Sequence, residues 1–387
     1  MNPTKKNILT FFVVLTFPFI VFAQFGQNRI KSPEIHPDNK VTFRVQAPKA
    51  DSVLLVGNWM PPMQSIPLTK SDSGLWHLTI DPLAPELYGY RFLIDGVPTL
   101  DPANLEIKRD GTFRTESVLF IRGEASELYE PKVGPKGILQ KVWYESPTLK
   151  LTRRMYVYTP PGYENSDDDY PVLYLLHGGG GDEDAWTTLG LAPTIMDNLI
   201  NAGKAKPMIV VMTNGNPDQA AAFPDAPHKD ETAGAMMGMA NGVFEKSLVN
   251  DVIPYVEAHY RVKTGKESRA MTGLSMGGHQ TINTTLQNPE LFDYIGVMSM
   301  GFADFSRFGI EVDEKKRSEQ INALKNADPK LYWIACGKDD FLYETVVTMR
   351  EELDGHNLDY KYRESTGGHT WNNWRIYLSE FAPMLFK

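Results

Sequence analysis

A serine between two glycines is the feature of this sequence best suited to chemistry. Residues 273–277 read Gly-Leu-Ser-Met-Gly, a pattern that places the serine on a strained turn between a strand and a helix. Glycine is needed on both sides of this turn because a larger side chain would collide there. An apolar run ends at Thr272 and a helix-compatible stretch covers residues 279–286, as such a turn requires. We predict that Ser275 is a nucleophile; the alternative is a glycine-rich turn without chemistry.

A serine hydroxyl reacts only when a base takes its proton, and His369 is the best candidate for that base. In a turn of this kind the partners follow in the order serine, acid, histidine, each after a strand. His369 lies near the end of the chain, after Gly367 and Gly368, which leave space around it. His279 fits less well, because it lies one helical turn after Ser275 and points along the helix.

The acid that orients this histidine has two candidates, Asp339 and Asp340, which follow a run predicted as a strand over residues 331–335. Adjacent residues project in different directions, so only one of them can meet the imidazole. The other would be a solvated loop residue or a helix cap before the helix that begins near Leu342. Residue types and spacing leave both open.

A glycine-rich segment earlier in the chain is suited to binding an oxyanion. Residues 175–182 read Leu-Leu-His-Gly-Gly-Gly-Gly-Asp and follow a buried strand. An early strand-to-helix loop of this kind can present one backbone amide to the oxyanion, while the residue after the nucleophile presents another. We predict that Gly179 and Met276 supply these two amides.

Two other interpretations of this segment are weaker. A phosphate-binding loop would need the lysine and hydroxyl residue of the P-loop pattern, which are missing. A metal site built from His177, Asp182 and Asp184 would lack a second histidine at ligand spacing. The sequence therefore predicts neither a metal nor a cofactor.

The elements that must position these residues form an alternating pattern after residue 136. Strand-like runs, several of them continuously apolar, alternate with amphipathic helices, which predicts a doubly wound α/β sheet of α/β-hydrolase type over residues 137–387. The strands are predicted over residues 155–159, 172–176, 208–212, 269–272, 295–300, 331–335 and 360–363. One helix has its apolar face at Phe244, Leu248, Val252 and Val256, and another at Leu342, Val346, Met349 and Leu353.

A different pattern precedes this unit. Residues 41–122 contain short alternating or apolar runs separated by turn residues, with no helical period. This pattern predicts an immunoglobulin-like β-sandwich over residues 24–123. Residues 124–136 contain Pro131, Gly134 and Pro135, which are typical of a linker.

The first 23 residues have the layout of a secretory signal. Lys5 and Lys6 precede an apolar run over residues 8–22, and small or apolar residues precede Gln24, where we predict cleavage. A membrane anchor is the alternative, but the run is shorter than the roughly 20 apolar residues of a span and contains Pro18. We expect a bacterial protein that is periplasmic or secreted, with no membrane span after removal of the signal.

Charge and cysteine content narrow the class of partner. The net charge of the 387-residue chain is −9, and loss of Lys5 and Lys6 with the signal makes it −11. Nucleic acid is therefore excluded as an expected partner, because its backbone is bound by clustered positive charge. Cys336 is the only cysteine, so no disulfide can form within the chain.

The segments described above resemble the esterase D and feruloyl esterase group, the first family of carbohydrate esterases. The resemblance runs from about residue 141 to the end, through the motifs at 153–163, 176–182, 251–255, 273–278, 336–340 and 368–371. It implies Ser275 as nucleophile, His369 as base, and an oxyanion hole from the amides of Gly179 and Met276. The family has a single aspartate in a Gly-x-x-Asp segment, which here begins at Gly337 and implies Asp340 as the acid.

The N-terminal segment resembles the early-set, glycogen-branching-enzyme type of carbohydrate module, through residues 43–48, 56–59, 90–97 and 100–104. Trp59, Trp76 and Tyr90 are candidates for stacking on sugar rings, but aromatic residues in strands more often belong to a core. The module is expected to bind glycan, to cap the catalytic cleft, or to serve as a packed spacer.

The pairing of the two units is similar to exported esterases that act on plant hemicellulose. We expect a feruloyl esterase acting on arabinoxylan or its oligosaccharides, with Trp371 and the methionines Met236, Met237 and Met239 near an aromatic acyl group. An acetyl xylan or dual acetyl and feruloyl esterase is the main alternative. Siderophore-ester hydrolysis, a mycolyl-type acyltransferase and a non-catalytic glycan-binding protein are the others. The oligomeric state is not predicted.

Overall fold

The computed structural model describes residues 30–61, 63–110, 114–222, 242–302 and 313–387. The predicted signal peptide and the three methionines at 236, 237 and 239 lie outside these ranges. In the described ranges no helix is both long enough and apolar enough to cross a membrane.

The N-terminal unit contains two antiparallel sheets packed face to face. Their inward residues form one apolar core that includes Phe43, Leu55, Phe92 and Leu119. One sheet has the strand order β1-β2-β6-β5 and the other β4-β3-β7-β10-β9, with β8 paired to β7. The strands are β1 (Glu34–Ile35), β2 (Val41–Gln46), β3 (Val53–Gly57), β4 (Ile66–Pro67), β5 (Thr69–Lys70), β6 (Leu75–Ile80), β7 (Glu86–Ile94), β8 (Val97–Thr99), β9 (Ile107–Asp110) and β10 (Arg114–Ile121).

The C-terminal unit is built on a mixed sheet in the order β11-β12-β14-β13-β15-β16-β17-β18. The pairs β11 to β12 and β12 to β14 are antiparallel, and the remaining pairs are parallel. Its strands are β11 (Ile138–Ser146), β12 (Leu151–Thr159), β13 (Val172–Leu176), β14 (Ile209–Thr213), β15 (Arg269–Leu274), β16 (Tyr294–Met298), β17 (Leu331–Gly337) and β18 (Lys361–Ser365).

Helices cover this sheet and bury its apolar strands between two cores. They are α1 (Ala185–Thr188), α2 (Ala192–Asn201), α3 (Val243–Ser247), α4 (Ile253–His259), α5 (Met276–Gln287), α6 (Glu314–Ala327), α7 (Tyr343–His356) and α8 (Trp371–Phe381). A π-helical segment, Leu248–Val252, joins α3 to α4. Short 3-10 turns lie at Glu124–Ser126, Tyr163–Asn165, Lys266–Ser268 and Ala382–Met384.

The predicted strands and helix faces of the C-terminal unit agree with these elements. Each predicted strand of the C-terminal unit overlaps an observed one, and both predicted apolar faces are buried except for Leu342, which is half-buried. Strand β11 was not predicted, because its apolar and polar residues do not alternate regularly and it lies at the edge of the sheet.

Candidate active site

Ser275 occupies a strained turn at the carboxyl end of β15. Its backbone angles are φ 53° and ψ −119°, a conformation that costs free energy for a residue with a side chain. Two hydrogen bonds hold it: the Ser275 amide donates to Met298 O at 2.9 Å, and the His279 amide donates to Ser275 O at 3.0 Å. Helix α5 begins at the next residue, so its N-terminal partial positive charge lies beside the hydroxyl.

The two flanking glycines are required by backbone contacts. A Cβ on Gly273 would lie 2.4 Å from the carbonyl carbon of Gly277, and a Cβ on Gly277 would lie 2.5 Å from His177 O. Both distances are far below a van der Waals contact, and backbone atoms cannot rotate away as a side chain can. The steric reason for Gly-x-Ser-x-Gly is therefore present at both positions.

His369 and Asp340 are joined at the same edge of the sheet. Imidazole Nδ1 lies 3.0 Å from each carboxylate oxygen of Asp340. The Asp340 side chain is fully buried, and that of His369 is 17% exposed. With Nδ1 donating to the carboxylate, Nε2 is the basic nitrogen that remains for a proton in transfer.

The environment of Asp340 keeps it charged. Burial alone would raise the pKa of this carboxyl, but hydrogen bonds from His369 and from the Leu342 amide, the latter at 2.9 Å, outweigh burial and hold its pKa below the ordinary value. Asp339 does not contact the imidazole: it is exposed and its carboxylate accepts from the Gly367 amide at 3.2 Å. Of the two adjacent aspartates, the histidine meets Asp340.

Ser275 and the other two residues follow parallel strands of the same sheet. Ser275 follows β15, Asp340 follows β17 and His369 follows β18, and the carboxyl ends of parallel strands lie along one edge. In the described part of the chain no hydrogen bond joins Ser275 Oγ to His369. Such contacts are often long in enzymes without substrate and tighten when the complex forms. The serine-to-histidine contact therefore stays a prediction.

Sequence reasoning missed Ser299, which follows the intervening strand β16. Ser299 is fully buried with φ 51°, and its Oγ accepts from Trp374 Nε1 at 3.0 Å. The Ser299 hydroxyl also contributes to lowering the pKa of the Asp340 carboxyl. The only sequence signal is its position at the end of a strand between the two that carry Ser275 and Asp340.

The glycine-rich loop packs directly against the turn at Ser275. A Cβ on Gly178 would lie 2.6 Å from Leu274 Cδ1 and 3.2 Å from Ser275 Cβ. Gly179 is the next residue; it is exposed and no atom lies within 4 Å of where its Cβ would be. The loop therefore comes close to Ser275 while Gly179 borders open space that a substrate could enter.

His177 holds this loop as a buried neutral group. The Gly215 amide donates to Nε2 at 2.7 Å, which requires the proton on Nδ1, and Nδ1 lies 2.8 Å from Gly178 O. Burial lowers the pKa of His177. It thus fixes the loop to the end of β14 and uses both ring nitrogens in doing so.

Aromatic rings surround the imidazole. The Phe341 ring lies 4.4 Å from that of His369 between centroids and is 75% exposed, whereas Trp374 approaches edge-on at 4.9 Å and is buried. Trp371 is half-buried and packs edge-on against Trp374 and Trp186, both at 5.2 Å. The exposed ring next to the imidazole is Phe341, which sequence reasoning did not single out.

Two family models match the chain. The Esterase model matches residues 146–385, and the model of carbohydrate-binding module 48, the isoamylase N-terminal domain, matches residues 24–103. These matches confirm the resemblance described above for both units.

The chain is also similar in sequence to individual proteins. The chain is 32% identical over 362 residues to an endo-1,4-beta-xylanase/feruloyl esterase from Xylanibacter ruminicola; the match covers 92% of this chain and 46% of that protein. The chain thus spans less than half the length of that relative.

Solved structures give the same fold. A CE1 ferulic acid esterase from Anaeromyces mucronatus, 26% identical, matches with a TM-score of 0.56 over 67% of this chain and 95% of its own. The enterobactin esterase of Shigella flexneri, 15% identical, matches with a TM-score of 0.65 over 90% of this chain and 92% of its own, a likeness of fold alone. The predicted α/β-hydrolase fold preceded by a β-sandwich is confirmed.

Proposed function

The chain belongs to the Esterase family, and on that premise we propose that it is a serine carboxylic-ester hydrolase. Ser275 is the nucleophile, His369 the general base and Asp340 the acid that orients it. The observation that carries this proposal is the double contact between His369 Nδ1 and the buried Asp340 carboxylate, two strands from a serine on a strained turn. Such strain is characteristic of a nucleophile held at a turn.

The reaction proceeds in two acyl-transfer steps. Ser275 Oγ attacks the ester carbonyl carbon while His369 Nε2 takes the hydroxyl proton, and that proton passes to the alcohol oxygen as the ester bond breaks. Water then attacks the acyl-serine with His369 as base, which releases the acid and restores the serine hydroxyl. Asp340 stays ionised throughout and stabilises the imidazolium.

The amides of Met276 and Gly179 form the oxyanion hole. Met276 is the first residue of α5, so its amide carries part of the positive end of the helix dipole. Gly179 lies beyond Gly178, whose packing against Ser275 keeps the loop close to the reacting carbon. Amides fixed in this way stabilise the tetrahedral intermediate without reorganising during the reaction.

The substrate class is the feruloyl ester of plant hemicellulose, in particular arabinoxylan or its oligosaccharides. The similarity to a xylanase/feruloyl esterase and to a ferulic acid esterase supports this choice. The exposed Phe341 ring and the half-buried Trp371 are apolar surfaces that suit an aromatic acyl group. The protein acts outside the cytoplasm after loss of residues 1–23, with the domain limits 24–123 and 137–387 given above.

A comparison of two substrates tests this proposal. Purified protein lacking residues 1–23 should release ferulate from methyl ferulate with a kcat/KM at least tenfold above that for release of acetate from acetylated xylan. A preference for acetate would replace feruloyl by acetyl xylan esterase within the same chemistry. Release of neither acid, together with no labelling by a fluorophosphonate, would remove the esterase proposal.

The exposed ring of Phe341 is expected to contribute to recognition of the aromatic acyl group. Phe341→Ala should raise KM for methyl ferulate about three- to tenfold, because a ring contact contributes about 0.5–1.5 kcal/mol, and should leave hydrolysis of a short aryl acetate within twofold. Val133→Ala, which shortens another exposed apolar side chain, is the control. Equal losses on both substrates would show that Phe341 supports His369 rather than the acyl group.

A further inference from the structure

An arginine of the N-terminal module contacts the glycine-rich loop. Arg109, on the edge strand β9, donates to both oxygens of Asp182 at 2.5 and 2.8 Å and to Asp184 at 2.9 Å. The side chain of Asp182 is 1% exposed and that of Arg109 is 21% exposed. This is a forked arginine-carboxylate pair, the geometry that fixes orientation as well as distance.

Asp182 is part of the structure of the loop that carries Gly179. Its carboxylate also accepts from the Asp184 amide at 3.0 Å, and its carbonyl accepts from the Ala185 amide at 3.0 Å. Within the same loop the Gly181 amide donates to Gly178 O at 3.1 Å. A displacement of Asp182 is therefore transmitted through short backbone links to Gly178 and Gly179.

A second arginine holds the same loop from the other unit. Arg154 of β12 donates to Glu183 at 2.7 Å, and the Ala222 amide donates to that carboxylate at 2.8 Å. All three groups are buried. The acidic segment 182–184 thus lies between an arginine of the esterase unit and an arginine of the module, and loss of either leaves buried carboxylates without full compensation.

The module also contacts the histidine side of the site. Glu86 of β7 accepts from Arg375 of α8 at 2.6 Å and from the Tyr129 hydroxyl at 2.7 Å. Arg375 donates in addition to Leu189 O at 2.5 Å. Since α8 begins two residues after His369, the module is joined to both sides of the catalytic edge.

The aromatic residues that were candidates for sugar binding pack in the module itself. Trp76 and Tyr90 are buried, and Trp59 is half-buried, stacks on Phe43 and folds over Gly57, where a Cβ would lie 2.3 Å from its ring. These rings support the sandwich that presents β9.

From these contacts we infer that Arg109 is a positioning residue for the reaction: the module holds the glycine-rich loop so that the Gly179 amide stays aimed at the oxyanion. This inference rests on the proposed esterase function. According to this inference the module raises kcat through the contact with Asp182. This role does not require the module to bind glycan.

Kinetics per active site test this role in the full chain. Arg109→Ala should lower kcat about ten- to a hundredfold, because a displacement of about 1 Å can cost that much, with KM changed less than threefold. Arg109→Lys should recover only part of the loss, since an ammonium cannot form the forked pair. Arg122→Ala, which removes an exposed pair with Glu130, should retain wild-type kcat.

Active sites are counted by fluorophosphonate labelling, and folding is followed by thermal unfolding. If Arg109→Ala or, where that variant fails to fold, Arg109→Lys keeps wild-type kcat per labelled site and only unfolds at lower temperature, the residue is merely structural and the inference is overturned. Wild-type protein that neither labels nor hydrolyses esters would instead refute the proposed function. The double variant gives a further test. If Arg109→Ala lowers kcat in the Asp182→Ala variant as much as it does in the wild type, the effect of Arg109 does not act through Asp182.

Discussion

Replacing Ser275 by alanine is expected to lower kcat by about 10⁴- to 10⁶-fold on any ester that the wild-type protein hydrolyses. The acyl-enzyme cannot form without the Oγ, so only the oxyanion hole and binding remain to accelerate attack by water. The melting temperature should stay close to that of the wild type, because alanine retains the Cβ and the backbone hydrogen bonds to Met298 and His279 do not involve the hydroxyl. Stopped assays of ferulate release and thermal unfolding measure the two effects.

Ser365→Ala is the matched control. Ser365 also lies at the carboxyl end of a strand of the same sheet, and its hydroxyl contacts Tyr377 at 2.5 Å rather than the imidazole. This variant should keep kcat within about twofold. Ser275→Ala protein that folds and still turns over at the wild-type rate would exclude the covalent mechanism, whatever the family relationship.

The positions of the proposed catalytic residues at strand ends could be predicted because their signals are local. The turn at Ser275 requires glycine at 273 and 277 for steric reasons that act within five residues. The strands before Ser275 and Asp340 are buried and largely apolar, whereas the strand before His369 is partly exposed and polar. Parallel strands place their carboxyl ends at one edge of the sheet. The order of these segments was therefore enough to bring three distant residues to the same region.

The supporting contacts could not be predicted because they depend on packing between distant segments. Arg109 and Asp182 are 73 positions apart and belong to different units, and neither lies in a motif that indicates a pair. Ser299 and Phe341 are ordinary residue types whose roles come only from the neighbours that the fold provides. Edge strand β11 was missed because its apolar and polar residues do not alternate regularly, and apolar side chains such as Ile138, Leu139 and Trp143 are exposed.

The environment of Asp340 also makes the stability of the fold depend on pH. The pKa of Asp340 is lowered in the folded state. Asp340 therefore stabilises the fold fully when the pH is above the ordinary carboxyl pKa of about 4, and this stabilisation is lost as the pH falls below that value. An asparagine at 340 has no carboxyl to protonate and would show no such loss.

Asp340→Asn is the second change with a large expected effect. It should lower kcat by about 10³- to 10⁴-fold near neutral pH, because the amide NH₂ donates towards Nδ1 and favours the tautomer that carries its proton on Nε2, where it cannot accept from Ser275. KM should change little, since Asp340 is buried behind the imidazole. Steady-state kinetics on methyl ferulate give both values.

Asp339→Asn tests which of the two adjacent carboxyl groups orients the imidazole. The Asp339 carboxylate accepts one hydrogen bond, from the Gly367 amide, and an asparagine oxygen can accept it equally well. This variant should therefore keep nearly all activity. Because the residues are neighbours of the same type and the replacements are isosteric, any general disturbance of the loop affects both variants alike. A greater loss from Asp339→Asn than from Asp340→Asn would mean that the imidazole turns to the other carboxylate during turnover, and the assignment of the acid would have to be reversed.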